Sequence, residues 1–333
     1  MAHQAMSQHF KIIGTGSYLP GDPISGVEIE RRANLPENWI EGHTQVAMRH
    51  ECVPPETLLT MGRKAVLAAL ENAGVEWSEI DLIIDASTSR HQPIPCNAAV
   101  LQSALRPEAE GIPCLDVHGT CLGFLLGLNV ANALLAAGQY RRILIACSES
   151  PLTAVNWSDP DSATILGDGA AAVVLEKAEE RAPWSFQHET YSQFRDDCEV
   201  LGGGHHLPGF RYRPEDDLLY RFRMNGPKLY QTALRYLPKM VERLLFDAEI
   251  ERSELVVVPH QASPRGLEMI RRRLGFTEDQ FVNRASQIGN MASASIPWLI
   301  DTLSREGTLT AGKKVLAIGT AAGYAQAGMI FTL

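Results

Sequence analysis

Short apolar runs rich in Ile, Val and Leu alternate along the chain with stretches of helical periodicity, which predicts an α/β protein with largely buried strands. In the first half the strand candidates are Lys11–Ile13, Asp81–Ala86, Arg142–Cys147 and Ala170–Leu175. In the second half they are Glu254–Pro259, Lys314–Ile318 and Ala327–Leu333. Between them, Thr57–Gly74 (TLLTMGRKAVLAALENAG) repeats apolar residues at helical spacing and ends on glycine, a usual stop for a helix. The halves rhyme: each offers a strand, a helix, a strand ending in small polar residues, and a closing strand pair. That rhyme predicts an internal duplication into residues 1–180 and 181–333, joined near Lys177–Pro183 (KAEERAP). Asp196–Asp217, rich in Gly, His and Pro and without periodicity, is expected to be a long surface loop.

Composition narrows the function. With 333 residues, 45% apolar and 21% charged, the chain can bury a sizeable core. Its net charge of −9 argues against general nucleic-acid binding, which needs a basic surface. The opening MAHQAMSQHF lacks the basic segment and apolar run of a signal peptide. The longest apolar stretch, Cys121–Ala137, is broken by Gly and Asn, and predicts a buried helix rather than a membrane span. Six cysteines without a CxxC pair fit neither a disulfide framework nor a zinc site, and suit a reducing cytoplasm.

Three patterns place a reactive side chain at the end of a strand. In Leu115–Gly123 (LDVHGTCLG), Cys121 stands where a strand turns into the N-terminus of an apolar helix. The free N–H groups and positive dipole end there favour a thiolate, a competent acyl acceptor. In Val256–Arg265 (VVVPHQASPR), His260 emerges from an apolar strand, placed to move a proton or donate to an oxyanion. In Ile288–Ser295 (IGNMASAS), Asn290 follows a glycine turn and offers a neutral donor, although Asn is also a common turn and cap former. Asp168, in a tight glycine turn, reads as structural. His205 and His206 have no metal-ligand partner near them in sequence, and Gly14–Gly16 lacks the third glycine of a dinucleotide fingerprint.

With these motifs the sequence resembles the β-ketoacyl-acyl-carrier-protein synthase III family of the thiolase superfamily. The resemblance runs through Lys11–Pro20, Trp39–Ile40, Thr88–Ser89, Asp116–Cys121, Leu166–Val174, His260–Ala262, Gly289–Asn290 and the loop Gly319–Gly323 (GTAAG). It implies a thiolase fold of two duplicated halves in five α-β-α-β-α layers. Cys121, His260 and Asn290 fall on the family's Cys-His-Asn triad. The resemblance further implies that a thioester acylates Cys121, and that His260 and Asn290 then hold a malonyl-type thioester while carbon dioxide leaves. The backbone N–H groups of Cys121 and Ala322 would form the oxyanion hole, each donor contributing about 3 kcal/mol to transition-state stabilisation. It implies no metal or tightly bound cofactor, and a homodimer.

The resemblance also places substrate contacts at Trp39, Ile94 and Gly226, and carrier-protein docking at Arg265 and Arg271–Arg273. Trp39 corresponds to an aromatic that stacks on the adenine of coenzyme A, and Ile94 to a residue that reaches into the partner's acyl pocket. Ile94 in place of an aromatic suggests a longer or branched acyl chain. Two departures stand out. Ala321 and Ala322 replace glycines of the C-terminal loop. His43 replaces an arginine, and another arginine is missing near Asp159–Ser162. An arginine clamp on phosphate is poorly replaced by histidine, so an acyl carrier protein is expected to be preferred over coenzyme A. The leading expectation is decarboxylative condensation in a specialised fatty-acid or polyketide pathway. Alternatives are non-decarboxylative joining of two acyl chains, acyl transfer to an oxygen or nitrogen acceptor, and a non-catalytic partner subunit.

Overall fold

The computed structural model describes residues 7–333; residues 1–6 of the stretch read for a signal peptide lie outside it. The first half runs β1 (Ser7–Tyr18), α1 (Leu58–Ala73), β2 (Leu82–Asp85), β3 (Cys114–Asp116), α2 (Gly123–Ala136), β4 (Arg142–Glu149) and β5 (Gly169–Pro183). The second runs β6 (Ser185–Thr190), α3 (Gly226–Ala248), β7 (Leu255–Pro259), α4 (Pro264–Leu274), α5 (Ser295–Arg305), β8 (Lys314–Ala321) and β9 (Ala325–Thr332). A five-stranded sheet has the order β1-β5-β4-β2-β3, and a four-stranded sheet the order β7-β8-β9-β6.

Local chemistry explains the boundaries. The Thr57 hydroxyl accepts the Thr60 N–H at the start of α1, and Gly74 closes that helix at φ 64°. α2 is apolar nearly all round and is buried because a sheet covers it on each side. α5 lies with it, so one apolar cluster joins Leu125 and Leu128 of α2, Ile300 and Leu303 of α5, and strands of both sheets. α1 covers the outer face of the first sheet, and α3 and α4 that of the second. The five layers are therefore α1, sheet, α2 with α5, sheet, and α3 with α4.

The predicted joint at Lys177–Pro183 is strand. β5 continues to Pro183 because β1 continues beside it, pairing Phe10 with Lys177 and Ser7 with Pro183. Only Trp184 separates β5 from β6, a strand whose mixed polarity hid it in the sequence. Asp196–Asp217 is mostly short turns, as expected, but it is not confined to the surface: Cys198, Glu199 and Val200 line the central cavity. No helix among the described residues is long and apolar enough to cross a membrane.

Candidate active site

The chain leaves β3, passes Thr120 at φ 48°, and reaches Cys121 one turn before α2. This left-handed residue turns the backbone sharply just before Cys121. Gly123 lets the helix start touch the end of β2: a Cβ there would lie 2.0 Å from the Ala86 carbonyl oxygen. The Leu122 N–H donates to Gly119 O at 3.1 Å. Desolvation, and then the neighbouring Cys198 and Glu149, push the Cys121 thiol well above its ordinary range. That direction is opposite to the one the helix start favours.

His260 follows β7 and is anchored by its N–H to Ile318 O at 2.8 Å. Gly319 on β8 makes room for it, since a Cβ there would lie 2.8 Å from the His260 Cβ. The ring is 5% exposed, and burial lowers its pKa to about 4, so at neutral pH the imidazole is uncharged. Its Nδ1 is buried without a partner among the described residues.

Asn290 is pinned through its backbone, donating to Ile165 O at 2.7 Å and accepting from Gly167 N at 3.1 Å. Its Oδ1 accepts the Ala292 N–H at 2.9 Å. The other half of the amide, the Nδ2 donor, is thereby left for the cavity that Asn290 lines. Asp168 accepts from Cys52 N, Ser150 Oγ and Leu152 N, and so ties these loops together as a structural residue.

Cys121, His260 and Asn290 line one cavity of about 800 Å³ together with Trp39, Gly226 and Ala322. Ala322 sits in the turn after β8, where Gly323 has φ 75°. The GTAAG segment is thus half strand and half turn, because Ala321 still pairs with Ala325. Ile94 does not line the cavity of its own chain and is 84% exposed. Trp39 is stacked on His43, with centroids 4.1 Å apart and planes at 5°. Arg265 lines the same cavity and donates to Gly42 O at 3.3 Å.

The predicted docking arginines separate in the structure. Arg272 and Arg273 project from α4, paired with Glu268 and Leu234 O respectively. Arg271 is only 13% exposed and is spent on Glu268, Glu278 and Phe276 O, so it is not free to meet a partner. Among the described residues, no group of three His, Cys, Asp or Glu side chains is placed to hold a metal ion.

Sequence reasoning missed Glu149. It is fully buried at the end of β4 and lines the cavity. It accepts Thr88 N at 2.6 Å and Ser89 N at 2.9 Å from the first half, and Ser293 N at 3.3 Å and Ser293 Oγ from the second. An acidic residue closing the apolar run RILIACSE was the available signal. His118 was missed too. It lines the cavity three residues before Cys121, its pKa lowered by burial and then by Arg90.

Two family profiles match the chain. That of 3-oxoacyl-[acyl-carrier-protein (ACP)] synthase III covers residues 115–192, and that of the same enzyme's C-terminal part covers 245–333. The chain is 31% identical over 315 residues to the β-ketoacyl-[acyl-carrier-protein] synthase III of Alkalilimnicola ehrlichii, covering 94% of this chain and 96% of that protein. Among solved structures, the priming β-ketosynthase of the R1128 polyketide biosynthetic pathway superposes with a TM-score of 0.88 at 27% identity, covering 98% of this chain and 97% of that one. The 3-oxoacyl-[acyl-carrier-protein] synthase III of Aquifex aeolicus gives 0.87 at 25% identity, covering 97% and 100%.

Proposed function

The chain belongs to the β-ketoacyl-[acyl-carrier-protein] synthase III family, and from that premise we propose that Cys121 accepts an acyl group which His260 and Asn290 join to a malonyl-type thioester. The enzyme is a ketosynthase III-like condensing enzyme of the acyltransferase class. In loading, the Cys121 sulfur attacks the donor carbonyl while its proton passes to the neutral imidazole of His260 and on to the departing thiolate. The N–H groups of Cys121 and Ala322 hold the oxyanion. In condensation, His260 and Asn290 donate to the thioester carbonyl of the malonyl unit as its C–CO2 bond breaks. The enolate carbon then attacks the acyl carbon, the bond to sulfur breaks, and the released thiolate takes a proton from solvent. The observation that carries this reading is the convergence of a thiol, an uncharged imidazole and an oriented amide on one cavity.

The test is intact mass after incubation with acyl thioesters, followed by malonyl thioester with carbon dioxide measured. A discrete adduct lost in Cys121→Ala, then carbon dioxide in step with product, is expected. The absence of any adduct overturns the role of Cys121, and product without carbon dioxide moves the reaction to non-decarboxylative joining.

Carrier protein is the proposed acyl donor in preference to coenzyme A, in a specialised fatty-acid or polyketide pathway. His43 covers one face of Trp39, which an adenine ring would otherwise use. Comparable turnover with both carriers would sink this preference. A homodimer is proposed as well: β3 is an edge strand with Leu115 exposed, and Ile94 projects away from its own cavity.

A further inference from the structure

One wall of the cavity is polar. The loop after β2 brings Thr88, Ser89 and Arg90, and the loop after β3 brings His118 and Thr120. These loops emerge side by side because β2 and β3 pair in parallel, Asp85 opposite Asp116. The Oγ1 atoms of Thr88 and Thr120 are buried without a hydrogen-bond partner among the described residues. The rest of the lining is mixed: Ile165, Leu166, Phe222 and Met224 pack as one apolar cluster, while Thr44, Asp161, Glu199 and Tyr230 are polar. A purely hydrocarbon acyl group would fit that cluster but would leave two buried hydroxyls unsatisfied beside the nucleophile.

We propose that this wall, formed by Thr88, His118 and Thr120, selects an acyl group bearing a hydroxyl for transfer to Cys121. The inference rests on the loading role of Cys121 and names its substrate class. A neutral oxygen function is favoured over a carboxylate because the unpartnered groups of this wall are hydroxyls, and its cation, Arg90, is already paired with Asp116. A hydroxyl is both donor and acceptor, so it can satisfy either threonine and the imidazole. A site built to hydrogen-bond a substrate hydroxyl discriminates against the analogue that lacks it. The chemistry is ordinary thioester exchange: hydroxyacyl thioester and Cys121 thiol give hydroxyacyl-Cys121 and free carrier thiol.

The experiment loads the whole protein with N-acetylcysteamine thioesters of 3-hydroxybutyrate, butyrate and succinate, and follows the Cys121 adduct by intact mass. No malonyl unit is present, so any preference belongs to the acyl donor. The 3-hydroxybutyryl adduct should form roughly tenfold faster than the butyryl adduct, the scale of about one net hydrogen bond. That ratio should fall toward one in His118→Phe and, separately, in Thr88→Val, which provides a second reading if the first variant misfolds. A wild-type ratio of one or below, a ratio kept in both variants, or succinyl as the fastest donor overturns the proposal. Failure of the underlying reading looks different: no donor labels the protein, or Cys121→Ala is still labelled.

Discussion

The two sheets share a plan through four positions and part at the fifth. Each has an outer antiparallel strand, then a closing strand, then two strands parallel to each other: β1-β5-β4-β2 in one and β6-β9-β8-β7 in the other. In the first half the fifth position is β3. In the second it is a single parallel bridge between Val257 and Phe281, held by Val257 N to Gln280 O at 2.7 Å and Val282 N to Val257 O at 3.0 Å. Both routes end in a turn before a buried helix, and the turns hold different chemistry. The one before α2 carries Cys121; the one before α5 carries Asn290, between Gly289 at φ 68° and Ala292 at φ 42°. Likewise the loop after β2 brings Thr88 and Ser89, while β7 is followed by His260. On the proposed function, a common frame thus presents a covalent acceptor from one half and proton and hydrogen-bond chemistry from the other. This supports our proposal that the halves are copies of one unit.

The largest expected effects test that division of labour. Cys121→Ala should abolish both the adduct and the product. Asn290→Ala should slow condensation by about 10²–10³-fold, the cost of one oriented donor, with acyl loading slowed far less. Single-turnover loading and overall turnover, measured separately, check this. If Asn290→Ala stops loading as completely as condensation, the halves do not divide the reaction in this way.

Glu149 is where the halves are tied together at the site, so its loss should cost stability as well as rate. Glu149→Ala leaves the N–H groups of Thr88, Ser89 and Ser293 without their acceptor. It should lower unfolding free energy by about 3 kcal/mol in urea denaturation. Glu149→Gln, which keeps the shape and one acceptor oxygen, should recover most of that loss. Equal stability of wild type and Glu149→Ala would show that the tie is dispensable.

Much of this comparison was legible in the sequence, and its gaps have physical causes. Strand runs such as Arg142–Cys147 and Glu254–Pro259 were readable because both faces of their sheets are covered, which makes them continuously apolar. β3 is three residues long at a sheet edge, and β6 carries Gln187, His188 and Glu189, so neither stands out by composition. Cys121, His260 and Asn290, which line one cavity, could be read as candidates because each follows a strand end with small residues nearby. Their protonation was not legible: the helix-end argument favours a thiolate, whereas desolvation, a tertiary property, acts on Cys121 in the opposite direction. Glu149 and His118 escaped because what makes them notable is which loops they meet.

The buried acids of the first half and the buried His260 of the second should also respond to pH with opposite sign. In the first half, burial raises Asp85 to about 6 and Asp168 to about 7 from 3.8. The native state then holds more protons than the unfolded chain, so these groups favour folding at low pH and lose that contribution as pH rises through 6 to 7. In the second half His260 is lowered from 6.5 to about 4, so its contribution is present above 6.5 and lost as pH falls toward 4. Denaturation midpoints between pH 4 and 7.5 should therefore rise more steeply with pH in Asp168→Asn than in wild type, and less steeply in His260→Gln. Parallel profiles for all three proteins would remove the contrast.

The smallest effect concerns α4, which belongs to the second half and carries the arginines that the family resemblance assigns to docking. Arg272 is 74% exposed in its side chain, whereas Arg271 is folded into its own helix end. Charge reversal at the exposed position, Arg272→Glu, should raise KM for an acidic carrier protein by about threefold, the scale of one rim charge. The effect should shrink in salt and vanish for N-acetylcysteamine thioesters. Arg271→Glu should instead lower stability, because it places a third acid against Glu268 and Glu278. If the two variants shift carrier KM equally, docking reads the charge of the whole helix, and the separation between a surface arginine and an internal one does not hold.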